Sequence, residues 1–161
     1  VCDRPGAYVV ERATAADTPY FAFAPKSYQN KEEFEGHILQ ELARYEVDFI
    51  VLAGYMRLVG PTLLNAFKGR IVNIHPSLLP AFPGLDAVGQ ALDYGVKLTG
   101  VTIHFVDEGM DTGPIIAQQA IEIGPEATRE ILETKIHEVE HSFYPQTLQQ
   151  LFSVKGEAAI R

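Results

Sequence analysis

The sequence predicts an α/β fold, with a mostly parallel twisted sheet and helices on both of its faces. Strand and helix patterns alternate along most of the chain, an order that is typical of this class. The segments 47–54 and 70–75 are almost continuously apolar, as strands covered on both faces are. Two long strand patterns, 96–108 and 114–123, follow each other without a helix between them, which predicts an antiparallel strand late in the chain.

Helical patterns fill the intervals between these strands. Phe34, Ile38 and Leu42 recur every four residues, which predicts an amphipathic helix with Asn30 as its N-cap. In the last helical pattern, Pro145 is expected to kink or break the helix. The predicted helices are 5–17, 30–47, 60–69, 86–95 and 126–152, and a further short strand is predicted at 19–25.

Composition limits the classes of protein that this chain resembles. At 161 residues and 47% hydrophobic content, a single domain spanning 1–161 is the natural expectation. The net charge of −8 disfavours nucleic-acid binding, which usually needs a basic face. No apolar run approaches the roughly 20 residues that span a bilayer. The lone Cys2 suits a reducing compartment, so we expect a cytoplasmic protein without membrane partners.

Asn73 and His75 lie two residues apart at the end of the strand predicted for 70–75. Side chains at this spacing point to the same face of a strand. A histidine exchanges protons near neutral pH, and an amide can donate a hydrogen bond to a developing oxyanion. The pair therefore indicates either a catalytic site or a hydrogen-bonded polar pair that closes a loop.

An acidic, glycine-containing segment, VDEGMDTGP, follows the strand pattern at 96–108. Asp111 is its best candidate for a carboxylate that orients or charges a histidine across a cleft. An exposed acidic hairpin is the alternative. The Asp-Thr-Gly triplet also occurs in aspartic proteases, but those enzymes need two such carboxylates, and the chain has one copy.

The stretch HEVEH, which begins at His137, matches the H-E-x-x-H pattern of zinc proteases. A helical projection places His137 and His141 opposite the apolar stripe that begins at Leu132. Only Glu157, beyond the helix-breaking Pro145, remains as a third ligand. A solvated helix face is therefore the favoured interpretation, and no zinc is expected.

Three blocks of the sequence together resemble the phosphoribosylglycinamide formyltransferase family, one of the formyltransferase groups that use 10-formyltetrahydrofolate. The blocks are LAGYMRLVGPTLL, GRIVNIHPSLLPAFPGLDAVGQAL and GVTIHFVDEGMDTGPIIAQQAIEI, and the similarity extends in register from about Val1 to Phe152. The resemblance implies the Rossmann-like formyltransferase fold and formyl transfer to the amine of glycinamide ribonucleotide in purine (IMP) synthesis. It also implies 10-formyltetrahydrofolate as cosubstrate, no metal, small-molecule partners, and a monomer or homodimer.

The resemblance also implies roles for individual residues. It places Asn73, His75 and Asp111 as the catalytic trio, with Asp111 tuning His75 and with Glu140 near the ribose of the substrate. His104 is left open between shaping this site and packing in the core. The implied cofactor-binding residues are Lys31, Met56, Arg57, Leu58, Val59, Asn73, Val106 and Asp107.

One departure from the family pattern lies at the start of the sequence. Members begin with a strand, a glycine-rich phosphate-binding turn and a helix, whereas Val1 matches the end of the second strand. The resemblance thus implies an N-terminally incomplete domain, whose phosphate site lies outside these 161 residues. On that expectation a protein limited to them is poorly soluble and does not bind glycinamide ribonucleotide usefully. Formyltetrahydrofolate deformylase, a hydrolase, and a non-catalytic folate-binding fragment remain the alternatives.

Overall fold

A computed structural model describes the backbone of residues 1–158 and the side chains of residues 1–153. The chain divides into two compact units. The first comprises Val1–Asp48 and Val59–Phe67, and the second comprises Phe49–Leu58 and the chain from Lys68 onward. The expectation of a single domain over 1–161 stays a prediction. Within the described residues, no helix combines the length and apolar content that crossing a bilayer requires.

The first unit is mainly helical. Its α-helices are α1 (Tyr8–Ala15), α2 (Lys31–Ala43) and α3 (Pro61–Ala66). The strand predicted at 19–25 is wrong in extent, because the structure has only an isolated parallel bridge between Cys2 and Ala22 there. A proline at each end of that segment removes a ladder donor, which limits the pairing that the segment can make.

Helix α2 is the element that organises the first unit. Asn30 is its N-cap as predicted, since its side chain accepts a hydrogen bond from the Glu33 N–H at 2.9 Å. Phe34 and Ile38 are buried, as the four-residue spacing requires. Glu35, one position from that stripe, is also fully buried.

The Glu35 carboxylate caps helix α3. It accepts hydrogen bonds from the Gly60 N–H at 2.6 Å and from the Leu63 N–H at 3.4 Å. Gly60 is the N-cap residue of α3 and brings no capping side chain of its own. The first N–H groups of a helix have no partner within the helix and favour a negative charge. A carboxylate from another helix therefore supplies the cap that the sequence of α3 lacks.

The second unit contains a four-stranded mixed sheet in the order β1-β2-β3-β4. Its strands are β1 (Ile50–Leu52), β2 (Ile71–His75), β3 (Leu98–Phe105) and β4 (Ile115–Glu122). β1 and β2 are parallel, whereas the β2-β3 and β3-β4 pairings are antiparallel. The α/β class and the late antiparallel pairing are confirmed, and parallel pairing among these four strands is limited to β1 and β2.

The prediction that the strand in 47–54 is covered on both faces is wrong for its central residue. Val51 is 40% exposed. β1 lies at one end of the four-stranded order and pairs with β2 on its other side. Among residues 1–158 no strand pairs with the edge of β1 away from β2, so its apolar residues are less enclosed than those of an internal strand.

Two helices cover one face of this sheet. Helix α4 (Ala87–Tyr94) and helix α5 (Arg129–Ala158) share an apolar core with β3 and β4. α5 continues through Pro145, so a break at this residue is wrong, and a kink there stays a prediction. Pro145 is exposed, and water can therefore satisfy the carbonyl one turn earlier that loses its N–H partner. The buried members of this core are Val88, Val101, Ile121, Leu132 and Ile136.

Candidate active site

Polar residues occupy one face of the central strand pair. In the antiparallel register of β2 and β3, Asn73 lies opposite His104, and His75 lies opposite Thr102. Residues directly opposite each other share a face of the sheet, so all four side chains lie together. The alternate residues of the same strands point to the opposite face and join the apolar core. The two-residue spacing thus brings together groups that the sequence separates by 31 positions.

His75 is held at both ring nitrogens. The ring is 5% exposed. Its Nε2 donates to the Phe82 carbonyl at 2.9 Å, and its Nδ1 lies 3.4 Å from Asp111 Oδ2. Charge-assisted hydrogen bonds of this type usually measure about 2.7–2.9 Å. The carbonyl fixes the ring orientation and requires a proton on Nε2, so Nδ1 can donate to a third group only when the ring carries both protons.

Asp111 links the acidic loop to both histidines. Its Oδ2 accepts a hydrogen bond from the Gly84 N–H at 2.7 Å, and its Oδ1 lies 3.6 Å from His104 Nε2. The backbone of Asp111 is left-handed, with φ of 56°, a conformation that Asp tolerates better than most residues. The structure therefore brings Asp111 beside His75, although the two are 36 positions apart in the sequence.

His104 orients the amide of Asn73. Its Nδ1 donates to the Phe105 carbonyl at 2.9 Å, and its Nε2 lies 3.2 Å from Asn73 Nδ2. Burial lowers the pKa of His104, and this effect outweighs the opposing influences of the Phe105 carbonyl and Asp111. A neutral ring with its proton on Nδ1 can accept from the Asn73 NH2 group. That NH2 group carries a second N–H, which can donate to a bound oxygen. Of the two roles left open for His104, its contact with Asn73 supports a role in shaping the site.

The acidic loop, residues 106–114, is closed at its base by a backbone hydrogen bond and held internally by hydrogen bonds to the Asp107 side chain. Phe105 N–H donates to the Pro114 carbonyl at 2.9 Å. A Cβ on Gly113 would lie 1.9 Å from the Phe105 oxygen, so only glycine fits there. Within the loop, Asp107 Oδ1 accepts from the Gly109 N–H at 3.0 Å and from the Thr112 hydroxyl at 2.7 Å. These contacts give the loop a fixed shape, with Asp107 using its carboxylate inside the loop.

Other cofactor-binding candidates fall in both units. In the second unit, Met56 and Leu58 are exposed, at 72% and 53%, and Arg57 is exposed between them. Val106 continues from β3 and donates its N–H to the Ile71 carbonyl at 2.9 Å. In the first unit, Lys31 is the first residue of α2, and Val59 precedes the N-cap of α3. Their part in cofactor binding stays a prediction.

Glu140 and the HEVEH histidines lie on different sides of α5. His137 and His141 are exposed, whereas Glu140 is partly buried, in agreement with the helical projection. Burial raises the pKa of Glu140, and the rings of His137, His141 and His75 oppose this effect. Within residues 1–153, no cluster of three or more His, Cys, Asp or Glu side chains could hold a metal ion. The side chain of Glu157, the remaining ligand candidate, lies outside the described residues.

Sequence reasoning missed the groups that position the trio. Two are backbone groups, the Phe82 carbonyl and the Gly84 N–H, which no residue type reveals. Sequence reasoning also missed the fully buried Thr102, which lies opposite His75 in the strand register and whose hydroxyl donates to the Ser77 carbonyl at 2.6 Å and accepts from the Leu79 N–H at 3.0 Å. The only sequence signal was the turn chemistry of Pro83 and Gly84, which marks a tight bend.

The chain is similar to known proteins over nearly its whole length. The family model described as formyl transferase matches residues 1–148. Phosphoribosylglycinamide formyltransferase of Bacillus subtilis (strain 168) is 60% identical over 161 residues, which cover 99% of this chain and 83% of that protein. The trifunctional purine biosynthetic protein adenosine-3 of Drosophila melanogaster is 41% identical over 160 residues, 99% of this chain but 12% of that protein.

A solved structure shares the fold as well as the sequence. The crystal structure of phosphoribosylglycinamide formyltransferase from Bacillus halodurans superimposes with a TM-score of 0.91 at 62% identity. The match covers 94% of this chain and 78% of that one. The Rossmann-like formyltransferase fold expected from the sequence is therefore confirmed. Fold, family model and whole-length identity agree: the chain belongs to the formyl transferase family.

Proposed function

We propose that this protein transfers the formyl group of 10-formyltetrahydrofolate to the amine of glycinamide ribonucleotide. The observation that carries the proposal is the cluster of Asn73, His75 and Asp111 at the end of β2, with ring nitrogens of His75 and His104 within 3.6 Å of the same carboxylate. Relatives at 60% and 62% identity bear the name of this activity. The proposal extends that activity, and its role in purine synthesis, to this chain.

The cluster has the donors that formyl transfer needs. Attack of the substrate amine on the formyl carbon gives a tetrahedral intermediate whose oxygen carries negative charge. The second N–H of Asn73 and the Nδ1–H of His75 can both donate to that oxygen. When the intermediate collapses, the bond from the carbon to folate N10 breaks, N10 gains a proton and the attacking nitrogen loses one. Asp111, beside His75, is placed to hold the ring in its donating state or to relay the proton through water.

We assign the two substrates to the positions that the family resemblance implies. For the folate these are Lys31, Met56, Arg57, Leu58, Val59, Asn73, Val106 and Asp107. The exposure of Met56 and Leu58 supports apolar contacts with a ring system, because large apolar side chains at the surface often mark binding sites. Glu140 is proposed to contact the ribose, and its position on the partly buried side of α5 supports this. A cytoplasmic location, the absence of a metal and a monomeric or homodimeric state stay predictions.

Product analysis tests the proposal directly. The purified protein is incubated with 10-formyltetrahydrofolate, with and without glycinamide ribonucleotide, and the products are measured by mass spectrometry. Formylated ribonucleotide that forms in proportion to tetrahydrofolate supports the proposal. Rapid release of free formate without the amine supports the hydrolase instead. Folate binding without any turnover supports a non-catalytic folate-binding protein.

Asp111→Asn tests the role of the carboxylate. If Asp111 stabilises the donating form of His75, the variant should have a lower maximum rate and a displaced pH–rate profile. Glu122→Gln is the matched control, because it removes one carboxylate at an exposed position, at the end of β4 opposite to the Asp111 loop. A profile for Asp111→Asn that is lower but not displaced would leave Asp111 with a purely structural role.

A further inference from the structure

The segment Phe82–Asp86, here called the 82–86 loop, is conformationally strained. Three of its five residues have left-handed backbones, with φ of 54° at Phe82, 78° at Gly84 and 57° at Asp86. Two of these three are not glycine. Such conformations persist only where the surrounding structure holds them, and they tend to occur at functional sites. The contacts that keep the loop in this conformation therefore identify the parts of the protein on which it depends.

Toward the site, the loop contacts the two reactive residues through its backbone. The Phe82 carbonyl accepts from His75 Nε2 at 2.9 Å, and the Gly84 N–H donates to Asp111 Oδ2 at 2.7 Å. A displacement of the loop would thus move the acceptor of one residue and the donor of the other together. The loop sets the orientation of both groups without contributing a side chain to the chemistry.

Away from the site, two polar side chains from the helices bind the loop, and Tyr94 of α4 adds a ring contact with Phe82, with centroids 6.0 Å apart. From α4, Gln90 Nε2 donates to the Pro83 carbonyl at 3.2 Å and to the Leu85 carbonyl at 2.8 Å. From α5, the Arg129 guanidinium pairs with both carboxylate oxygens of Asp86. Asp86 also accepts from the Gly89 N–H at 3.3 Å and so caps α4. A neutral clamp, Gln90, therefore holds positions 83 and 85 of the loop, and an ionic clamp, Arg129, holds position 86.

We infer that Gln90 and Arg129 are positioning residues for the reaction, acting through the 82–86 loop on His75 and Asp111. The inference rests on the proposed function. Neither residue is near enough to the trio to act on it directly through the contacts seen. Because the loop is strained, loss of an outer clamp lets its left-handed residues relax and withdraws the Phe82 carbonyl from His75. The ring then spends less time with Nδ1 directed to the substrate oxygen, which lowers kcat more than it raises KM.

The two clamps differ in chemistry, which gives each its own signature. Arg129 and Asp86 are both more than half exposed, at 57% and 51% for their side chains, so salt should weaken the pair. Arg129→Gln is expected to lower kcat by about 2- to 5-fold at low salt, the range for an exposed ion pair. At high salt the unmodified protein should approach the variant. Gln90→Met removes two neutral hydrogen bonds and should lower kcat by about 3- to 10-fold at every salt concentration.

Matched variants separate positioning from general damage. Glu133→Gln removes the other partner of Arg129 while leaving Asp86 in place, and it should leave kcat unchanged. Asp86→Asn keeps a side chain that caps a helix and tolerates the left-handed region, and it should reproduce Arg129→Gln. Arg129→Lys should restore part of the loss. The double variant Gln90→Met/Arg129→Gln should lose less than the product of the single effects, because both clamps hold one loop.

A second measurement keeps this inference separate from the proposed function. Imidazole nitrogen NMR reports the His75 Nε2–H bond to Phe82 even in a protein with no turnover. We expect this bond to weaken in Gln90→Met and Arg129→Gln, and not in Glu133→Gln. If the unmodified protein fails to formylate the ribonucleotide, the proposed function fails while the NMR test of the clamp still stands. An unchanged His75 signal together with an unchanged kcat in both clamp variants, or an effect confined to KM, would overturn the inference.

Discussion

Both faces of the β2-β3 pair contain fully buried residues, but one face belongs to the apolar core and the other carries the polar cluster. Val72 and Ile103, on the apolar face, are 0% exposed, and Thr102 and His104, on the polar face, are 0% and 2% exposed. On the apolar face the side chains pack against α5 and its neighbours. On the polar face every residue of the cluster is held by hydrogen bonds. Burial alone therefore does not separate the core from the site, whereas hydrogen bonding does.

The reason for this difference is energetic. Burial of apolar area is favourable by about 25 cal/mol per Å² and does not depend on direction. A buried polar group costs free energy unless a partner satisfies it. The polar face therefore adds little to stability, but it fixes the direction of each donor. Substitutions on the two faces should accordingly affect different quantities, and the following predictions test that separation.

The largest effect is expected from His75→Ala on the polar face. Loss of one oxyanion donor should lower kcat by at least ~100-fold. The far-ultraviolet circular dichroism should change little, and turnover is compared at a temperature where the variant is folded, because loss of a buried ring that pairs with the Phe82 carbonyl also lowers stability. Near-normal turnover in this variant would show that His75 is not the donor.

Ile103→Ala, on the apolar face, tests the opposite expectation: a loss of stability without a loss of turnover. A buried Ile to Ala change should lower the free energy of unfolding by about 2–5 kcal/mol, measured by urea denaturation. Turnover per folded molecule should stay close to normal at temperatures where the variant remains folded. A kcat loss as large as that of His75→Ala would mean that the two faces are not separable.

A smaller effect is expected from His104 and pH. Because burial lowers the pKa of His104 below its ordinary value, the unfolded chain binds the proton first as pH falls. The stability that neutral His104 contributes is therefore present above pH 6.5 and is lost as pH falls through the folded pKa. Urea denaturation at a series of pH values should show a shallower acid loss in His104→Gln than in the unmodified protein.

The pKa of the Glu140 carboxyl is shifted in the opposite direction to that of His104, so Glu140 provides a comparison with the opposite expected pH dependence. Its pKa is raised by burial above 4.5, so its contribution is present below pH 4.5 and is lost as pH rises through the folded pKa. Glu140→Gln should thus change the stability profile with the sign opposite to His104→Gln. Identical profiles for His104→Gln and the unmodified protein would contradict the burial argument.

The smallest effect is expected on the exposed side of α5. Replacing His137 and His141 together with Gln should leave turnover intact, because both side chains face away from the apolar stripe. Elemental analysis should find no stoichiometric zinc in the protein. One zinc per chain that disappears in the double variant would reverse this interpretation.

The parts of the fold that follow from local patterns were predictable. The spacing of Phe34 and Ile38 identified the buried side of α2, and Asn30 identified its start. The alternation of Asn73 and His75 with apolar residues identified the shared face on β2. These features depend on residues close together in the chain, where periodicity and capping chemistry act.

The remaining features depend on contacts that no local pattern encodes. The exposure of Val51 follows from the place of β1 at the end of the strand order. The lowered pKa of His104 follows from its burial, and its contact with Asn73, 31 residues away, follows from the pairing of β2 with β3. The Phe82 carbonyl and Gly84 N–H are common to every peptide and acquire their roles from the path of the loop. Sequence reasoning therefore predicted residues that the structure brings together, but not the backbone groups that orient them.

The contact between Glu35 and Gly60 has a consequence for how this chain can vary. Gly60 has an ordinary extended backbone, with φ of −89°, so its conformation does not demand glycine. A Cβ there would instead lie 2.6 Å from the Glu35 carboxylate, which the Gly60 N–H itself holds in place. Positions 35 and 60 are therefore coupled. A side chain at 60 would displace the Glu35 carboxylate from the Gly60 N–H, so its cost depends on whether position 35 still carries that carboxylate.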